Sequence, residues 1–212
     1  LRDVTFDVGA GECVVLGGAS GAGKSSILKM IYGSYRADHG SILIRAPDGT
    51  TVDVATAEPR AILALRRTTL GYVSQFLRAI PRVSALDLVT DAVREGGGEK
   101  DIARQQACAL MLRLNLPDRL HGLPPATFSG GEQARVNIAR GFAARRPVLL
   151  LDEPTASLDA ENRAVVEDLI AERLADGAAI LGIFHDEETR ARVATRTLDV
   201  ARFAALPTAD AA

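Results

Sequence analysis

Residues 18–25 read GASGAGKS and fit the pattern G-x-x-x-x-G-K-[ST]. The run before them, residues 12–16 (ECVVL), is short, apolar and β-branched, as in a buried strand. The run after them, KSSILKMIYG, places Ile27, Leu28 and Ile31 at helical spacing and meets a stop at Gly33. Strand, glycine turn and helix in that order leave few folds open. The glycines let the main chain curl with its amides turned inward. Those amides and the helix N-terminus form a concave anion site. Lys24 suits the β- and γ-phosphates of a nucleotide, and the Ser25 hydroxyl suits Mg²⁺. Gly18, Ala19, Ser20, Gly21, Ala22, Gly23, Lys24, Ser25 and Ser26 are therefore the candidate ATP-binding residues.

A metal-bound triphosphate needs a carboxylate nearby. In VLLLDE, residues 148–153, four apolar residues carry a strand through a core and deliver Asp152 at its end. Open parallel sheets bind ligands at that end of their strands. Asp152 would hold Mg²⁺ directly or through water. Glu153, one residue on, would polarise a water for attack on the γ-phosphate.

Patterning elsewhere predicts an α/β chain. Residues 5–8 alternate as a half-buried strand does, residues 40–45 and 51–54 read as a hairpin around Asp48-Gly49, and residues 70–75 (LGYVSQ) read as a strand leading into a loop. From about 77 to 146 the pattern turns helical. Ser84 with Asp87 marks one helix start. The apolar side of a later helix carries Ile102, Leu110, Met111 and Leu114. Ser129 and Glu132 have capping-box spacing ahead of Val136, Ile138, Ala139 and Phe142. Residues 161–176 form an amphipathic helix stopped by Gly177, and AAILGIFHD is a further buried strand ending at His185. Strands alternating with helices predict a buried parallel sheet. The tail from 208 to 212 is expected to fray.

With 212 residues, 47% of them hydrophobic, one large domain with a sizeable core is expected. The net charge of -2 gives no support to general binding of nucleic acid or an anionic membrane. Cys13 and Cys108 form no C-x-x-C pair and suggest no metal cluster; they read as two buried, reduced thiols of a cytoplasmic protein. No apolar run approaches the ~18 residues that span a bilayer. The start lacks a signal-like pattern and a Met, and an N-terminal piece is expected to precede it.

The phosphate loop, Gln75, SGGEQ at 129–133, LLLDEP, SLD at 157–159 and His185 together resemble the ATP-binding-cassette (ABC) ATPases in order and spacing. The resemblance covers nearly the whole chain. It implies a P-loop, RecA-like α/β core with an antiparallel β-lobe and an inserted helical lobe. Residues 1–76 and 147–212 would form core and β-lobe, and 77–146 the helical lobe with the signature helix. It also implies a head-to-tail pair, either a homodimer or a heterodimer with a related cassette. Ser129, Gly130 and Gly131 of one copy would face the γ-phosphate held by Lys24 of the other. Gln75 would sense the γ-phosphate and Mg²⁺, His185 would contact the γ-phosphate and orient the water or Glu153, and Asp159 would lie at the subunit interface. Taken alone, Gln75 reads as a surface amide, residues 129–131 as a helix cap and His185 as a structural histidine. Ser26, Phe128 and Glu132 depart from the usual Thr, Leu and Gln. The adenine-stacking aromatic of the family would lie upstream of Leu1.

Residues 66–89, with GIFHDE, are similar to the L-type cassettes of the carbon–phosphorus lyase system. That implies a soluble ATPase acting in phosphonate metabolism, with lyase subunits as partners. The charged loop at Arg78 and Arg82 would be either a docking surface or solvated surface. The alternative is the ATPase of a membrane transporter of lipoprotein-release or macrolide-export type, which shares Phe76 after Gln75 and would touch a membrane only indirectly.

Overall fold

Three apolar strands set the architecture: β1 (Cys13–Gly17), β5 (Val148–Asp152) and β6 (Ala179–Ile183). All but the first residue of β5 and of β6 are buried, the pattern of strands covered on both faces. The computed structural model describes residues 1–75, 77, 81–97 and 99–203. Within them, β4 (Leu70–Val73) and β7 (Arg196–Asp199) flank those strands, and the order is β4-β5-β6-β1-β7, every pairing parallel. A separate antiparallel hairpin joins β2 (Leu43–Arg45) to β3 (Thr51–Asp53). The fold is thus the expected α/β P-loop type, with a parallel sheet and a small antiparallel one.

Side-chain alternation along the strands divides the core in two. Cys13, Val15, Val73, Leu149, Leu151 and Ile180 face one cluster with the helices α3 (Ala85–Glu95), α4 (Lys100–Arg113), α6 (Gly130–Ala143) and α7 (Ala160–Ala175). Val14, Leu16, Leu150, Leu181 and Ile183 face the other, with Ile27 and Leu28 of α1 (Lys24–Ile31). This parity matters for the site: Asp152 shares its face with Leu150, toward α1.

Helix termini follow their local chemistry. Ser84 caps α3 by accepting from the Asp87 amide at 3.1 Å. At α6 the Ser129 and Glu132 side chains cap reciprocally, the Ser129 amide donating to Glu132 Oε2 at 2.8 Å. Such caps contribute about 1 kcal/mol each. Gly141 lets α6 press on β4, because a Cβ there would collide with Val73 Cγ2.

Several local expectations are corrected. Residues 5–8 form no strand, although their alternation is real: Val4, Phe6 and Val8 pack against the α1-side cluster while Thr5 and Asp7 stay exposed. Ile102 is 49% exposed; the buried row on α4 is Ala103, Ala107 and Met111, whose small residues allow close helix packing. Cys108 is only half-buried, whereas burial raises the Cys13 thiol to about 12. The structure adds the helices α2 (Pro59–Thr68), α5 (Asp118–His121) and α8 (Glu187–Val193), and β7, to the expected elements. The expectations at Phe76, Arg78 and residues 208–212 lie outside the described residues.

Candidate nucleotide-binding site

The parallel sheet brings its candidate groups to one edge, because every strand delivers its carboxyl end there. The phosphate loop follows β1, Gln75 follows β4, Asp152 closes β5 and His185 follows β6. In the loop, Gly18, Gly21 and Gly23 have φ of 121°, 80° and 92°, a region that side chains rarely tolerate. Gly23 stands at the N-cap of α1 without a side-chain cap, so the first amides of the helix face the loop. Lys24 is buried, and its Nζ donates to the Gly18 and Ala19 carbonyls at 2.8 Å each. The ammonium is therefore folded onto its own loop.

Below the loop, Ser25 Oγ donates to Asp152 Oδ1 at 2.9 Å. Asp152 is 5% exposed, and its second oxygen accepts from the Tyr72 hydroxyl at 2.9 Å. Burial first, and then the Asp152 charge, push the Tyr72 phenol upward, which keeps it a donor. Tyr72 stacks on Tyr32 with centroids 4.9 Å apart, and the Arg66 guanidinium lies 4.1 Å from the Tyr32 centroid. Sequence reasoning missed this column. A signal existed: a tyrosine in a buried strand needs a partner for its hydroxyl. Replacing Tyr72 with Phe leaves the inner oxygen of a buried carboxylate without its donor. We expect Tyr72→Phe to lower stability by about 1–3 kcal/mol, read from urea unfolding; an unchanged midpoint would show that the bond contributes nothing.

Glu153 holds the centre of the remaining cluster. Its Oε1 lies 2.7 Å from His185 Nε2, and its Oε2 accepts from Gln75 Nε2 at 3.0 Å. Its backbone sits at φ 54°, a left-handed conformation that costs a non-glycine residue about 1–2 kcal/mol. The main chain holds that turn through the Glu153 amide, which donates to the Ile183 carbonyl at 3.1 Å. The strained residue is the one whose carboxylate is aimed between Gln75 and His185. His185 is mostly exposed, while the Glu153 side chain is only 16% exposed.

Ser129, Gly130 and Gly131 sit elsewhere. Among the described residues no hydrogen bond joins them to residues 18–26, and Ser129 Oγ donates to Glu132 at 2.7 Å. That pairing, followed by the Ser129 amide, holds the Glu132 carboxyl below its usual range. Beyond Gly130 the space is open, so this end of α6 presents bare backbone outward. Asp159 is exposed and caps α7: the Asn162 amide and side chain donate to it at 2.9 and 2.8 Å and lower its carboxyl.

A glycine-lined anion loop after one strand and an acidic pair closing another, on a parallel sheet, define a P-loop nucleotide-binding protein. Residues 1–156 match the family described as ABC transporter. The macrolide export ATP-binding/permease protein MacB of Nitrobacter winogradskyi is 35% identical over 195 residues, 90% of this chain and 29% of that protein. The lipoprotein-releasing system ATP-binding protein LolD of Maricaulis maris is 37% identical over 194 residues, 91% of this chain and 82% of that one. The dimeric structure of MJ0796, a bacterial ABC transporter cassette, superposes with a TM-score of 0.82 at 26% identity, covering 94% of this chain and 86% of that one. The same cassette is also known in a post-hydrolysis state bound to ADP and Pi, with the same score. The chain belongs to the ABC transporter ATP-binding cassette family and is an ABC ATPase. It spans less than a third of the MacB length. No helix among the described residues is long and apolar enough to cross a membrane.

Proposed function

We propose that this chain is the ATP-hydrolysing cassette of a membrane transporter of the macrolide-export or lipoprotein-release type, working at the cytoplasmic face as one half of a head-to-tail pair. The observation that carries this reading is the similarity of about nine-tenths of the chain to MacB and LolD. The lyase-system partnership suggested by residues 66–89 draws no support from those relatives. In this reading 1–76 and 147–212 are the core and β-lobe, and 77–146 the helical lobe that meets the transporter.

The donor set suits Mg²⁺: a hydroxyl and a carboxylate oxygen, from Ser25 and Asp152, stand 2.9 Å apart beside the loop. Ser25, Asp152 and the Gln75 amide oxygen would hold the ion, which when bound offsets the charge of the β- and γ-phosphates. Lys24 turns from the Gly18 and Ala19 carbonyls to the phosphates of ATP, and the amides of residues 18–26 wrap them. Glu153 accepts a hydrogen bond from the attacking water and takes its proton, while Gln75 and His185 keep that carboxylate aimed. His185 also contacts the γ-phosphate. Ser129, Gly130 and Gly131 of the second copy close over the same phosphate, and Asp159 lies at the junction. Hydrolysis removes the γ-phosphate link and the pair opens.

Purifying the tagged chain from detergent-solubilised membranes tests the partnership. A membrane permease is expected to co-purify and to stimulate ATP turnover on reconstitution. Recovery with soluble lyase subunits, and with no permease, would overturn the transporter reading.

A further inference from the structure

We propose that Cys108, Asp118 and His121 form a binding site for a borderline-soft divalent cation such as Zn²⁺, on α4 and α5 and separate in its residues from the nucleotide site. The three side chains are ten and three residues apart in sequence, and no motif joins them. The fold brings one ligand atom from each within 4.8 Å of the others.

His121 supplies the anchor. It is 5% exposed, and its Nε2 lies 2.9 Å from the Leu116 carbonyl. A carbonyl only accepts, so Nε2 carries the proton, and in the neutral ring the Nδ1 lone pair accepts from the Cys108 S–H, the proton that a metal would replace. Metal-binding histidines are commonly held by such an outer hydrogen bond. Nδ1 points between Cys108 Sγ at 3.7 Å and Asp118 Oδ1 at 3.6 Å. Tetrahedral zinc has bonds of about 2.3 Å to sulfur and about 2.0–2.1 Å to nitrogen and oxygen, which gives edges of about 3.6 Å for S···N and about 3.3 Å for N···O. The two separations from Nδ1 lie within a few tenths of an ångström of those edges, and the exposed Asp118 carboxylate, within 4.8 Å of Cys108 Sγ, closes the third.

The donor types choose the metal. Thiolate and imidazole favour Zn²⁺ over Mg²⁺, so the magnesium that accompanies ATP does not compete here. Cys108 is half-buried and the Asp118 side chain is 81% exposed, which leaves an access route and an arm free to adjust. On binding, the Cys108 S–H bond breaks, its proton passes to solvent and a sulfur–metal bond forms, with no change of oxidation state. An occupied site ties α4 to α5, and the chain from α5 runs directly through residues 122–128 to Ser129 at the start of α6. The cation would thus act as a clip on the approach to the signature helix.

Cobalt titration of the whole chain, freed of metal by dialysis against chelator and held in excess Mg²⁺ and ATP, tests this. One equivalent of Co²⁺ is expected to give a thiolate-to-cobalt charge-transfer band that Zn²⁺ abolishes. Cys108→Ser removes the band. Asp118→Asn, a change at an exposed position that leaves folding intact, weakens Co²⁺ binding at least about tenfold. Zn²⁺ at a hundredfold excess over its Kd raises the melting temperature of the wild type by about 5 °C or more. Absence of the band, its survival in Cys108→Ser, or unchanged affinity in Asp118→Asn would each overturn the site. These readouts are independent of ATP turnover and of the transporter partnership.

Discussion

Glu153→Gln is expected to lower ATP turnover by about 10²–10⁴-fold while leaving ATP binding intact. The change keeps the shape of the side chain and removes only its ability to take a proton, and a positioned base contributes about that much to rate. The surroundings already commit the carboxylate to one place. Gln75 donates to one oxygen, His185 lies against the other, and the backbone accepts a left-handed φ of 54° to aim it. An amide there can still be held by its neighbours but cannot accept the proton of the attacking water. Unhydrolysed ATP then keeps the pair closed, so the variant should elute as a dimer from size-exclusion chromatography in saturating Mg²⁺ and ATP. Phosphate release at the wild-type rate would remove Glu153 from its role. A monomer under the same conditions would count against closure across residues 129–131.

Lys24→Ala is expected to weaken ATP binding by about 10–100-fold, measured by isothermal titration. A hydrogen bond to a charged group contributes about 1.5–3 kcal/mol, and Lys24 is the ammonium that the loop itself provides. Among the described residues its bonds go to the Gly18 and Ala19 carbonyls, within the same loop. Removal therefore leaves Ile27 and Leu28 of α1 packed in the core, and the far-ultraviolet circular dichroism should not change. Unchanged ATP affinity in a folded variant would show that the nucleotide is held elsewhere.

The two variants probe different parts of what could be read before folding was considered. The phosphate loop was legible because its glycines, lysine and serine are contiguous and their chemistry is local. The same holds for Asp152 and Glu153 behind an apolar strand, and for the Ser129–Glu132 cap, whose partners are three residues apart. Patterning also marked β1, β5 and β6 as buried strands by their unbroken apolar runs. It failed at residues 5–8, where alternating burial is present without a paired strand, and on α4, where Ile102 turned outward and an alanine row turned in. Periodicity reports a face, but it does not say which neighbour will cover it.

The chain's own order of residues determined that strand, phosphate loop and helix follow one another, and that acids end a core strand, because those features depend on spacings of a few residues. Tertiary structure alone decided that the Tyr72 hydroxyl supports Asp152 across 80 residues, that Glu153 lies between Gln75 and His185, and that Cys108 meets His121 and Asp118. Such meetings depend on strand order and helix docking. Those are settled by burying all the apolar faces together, a condition that no short window of sequence contains.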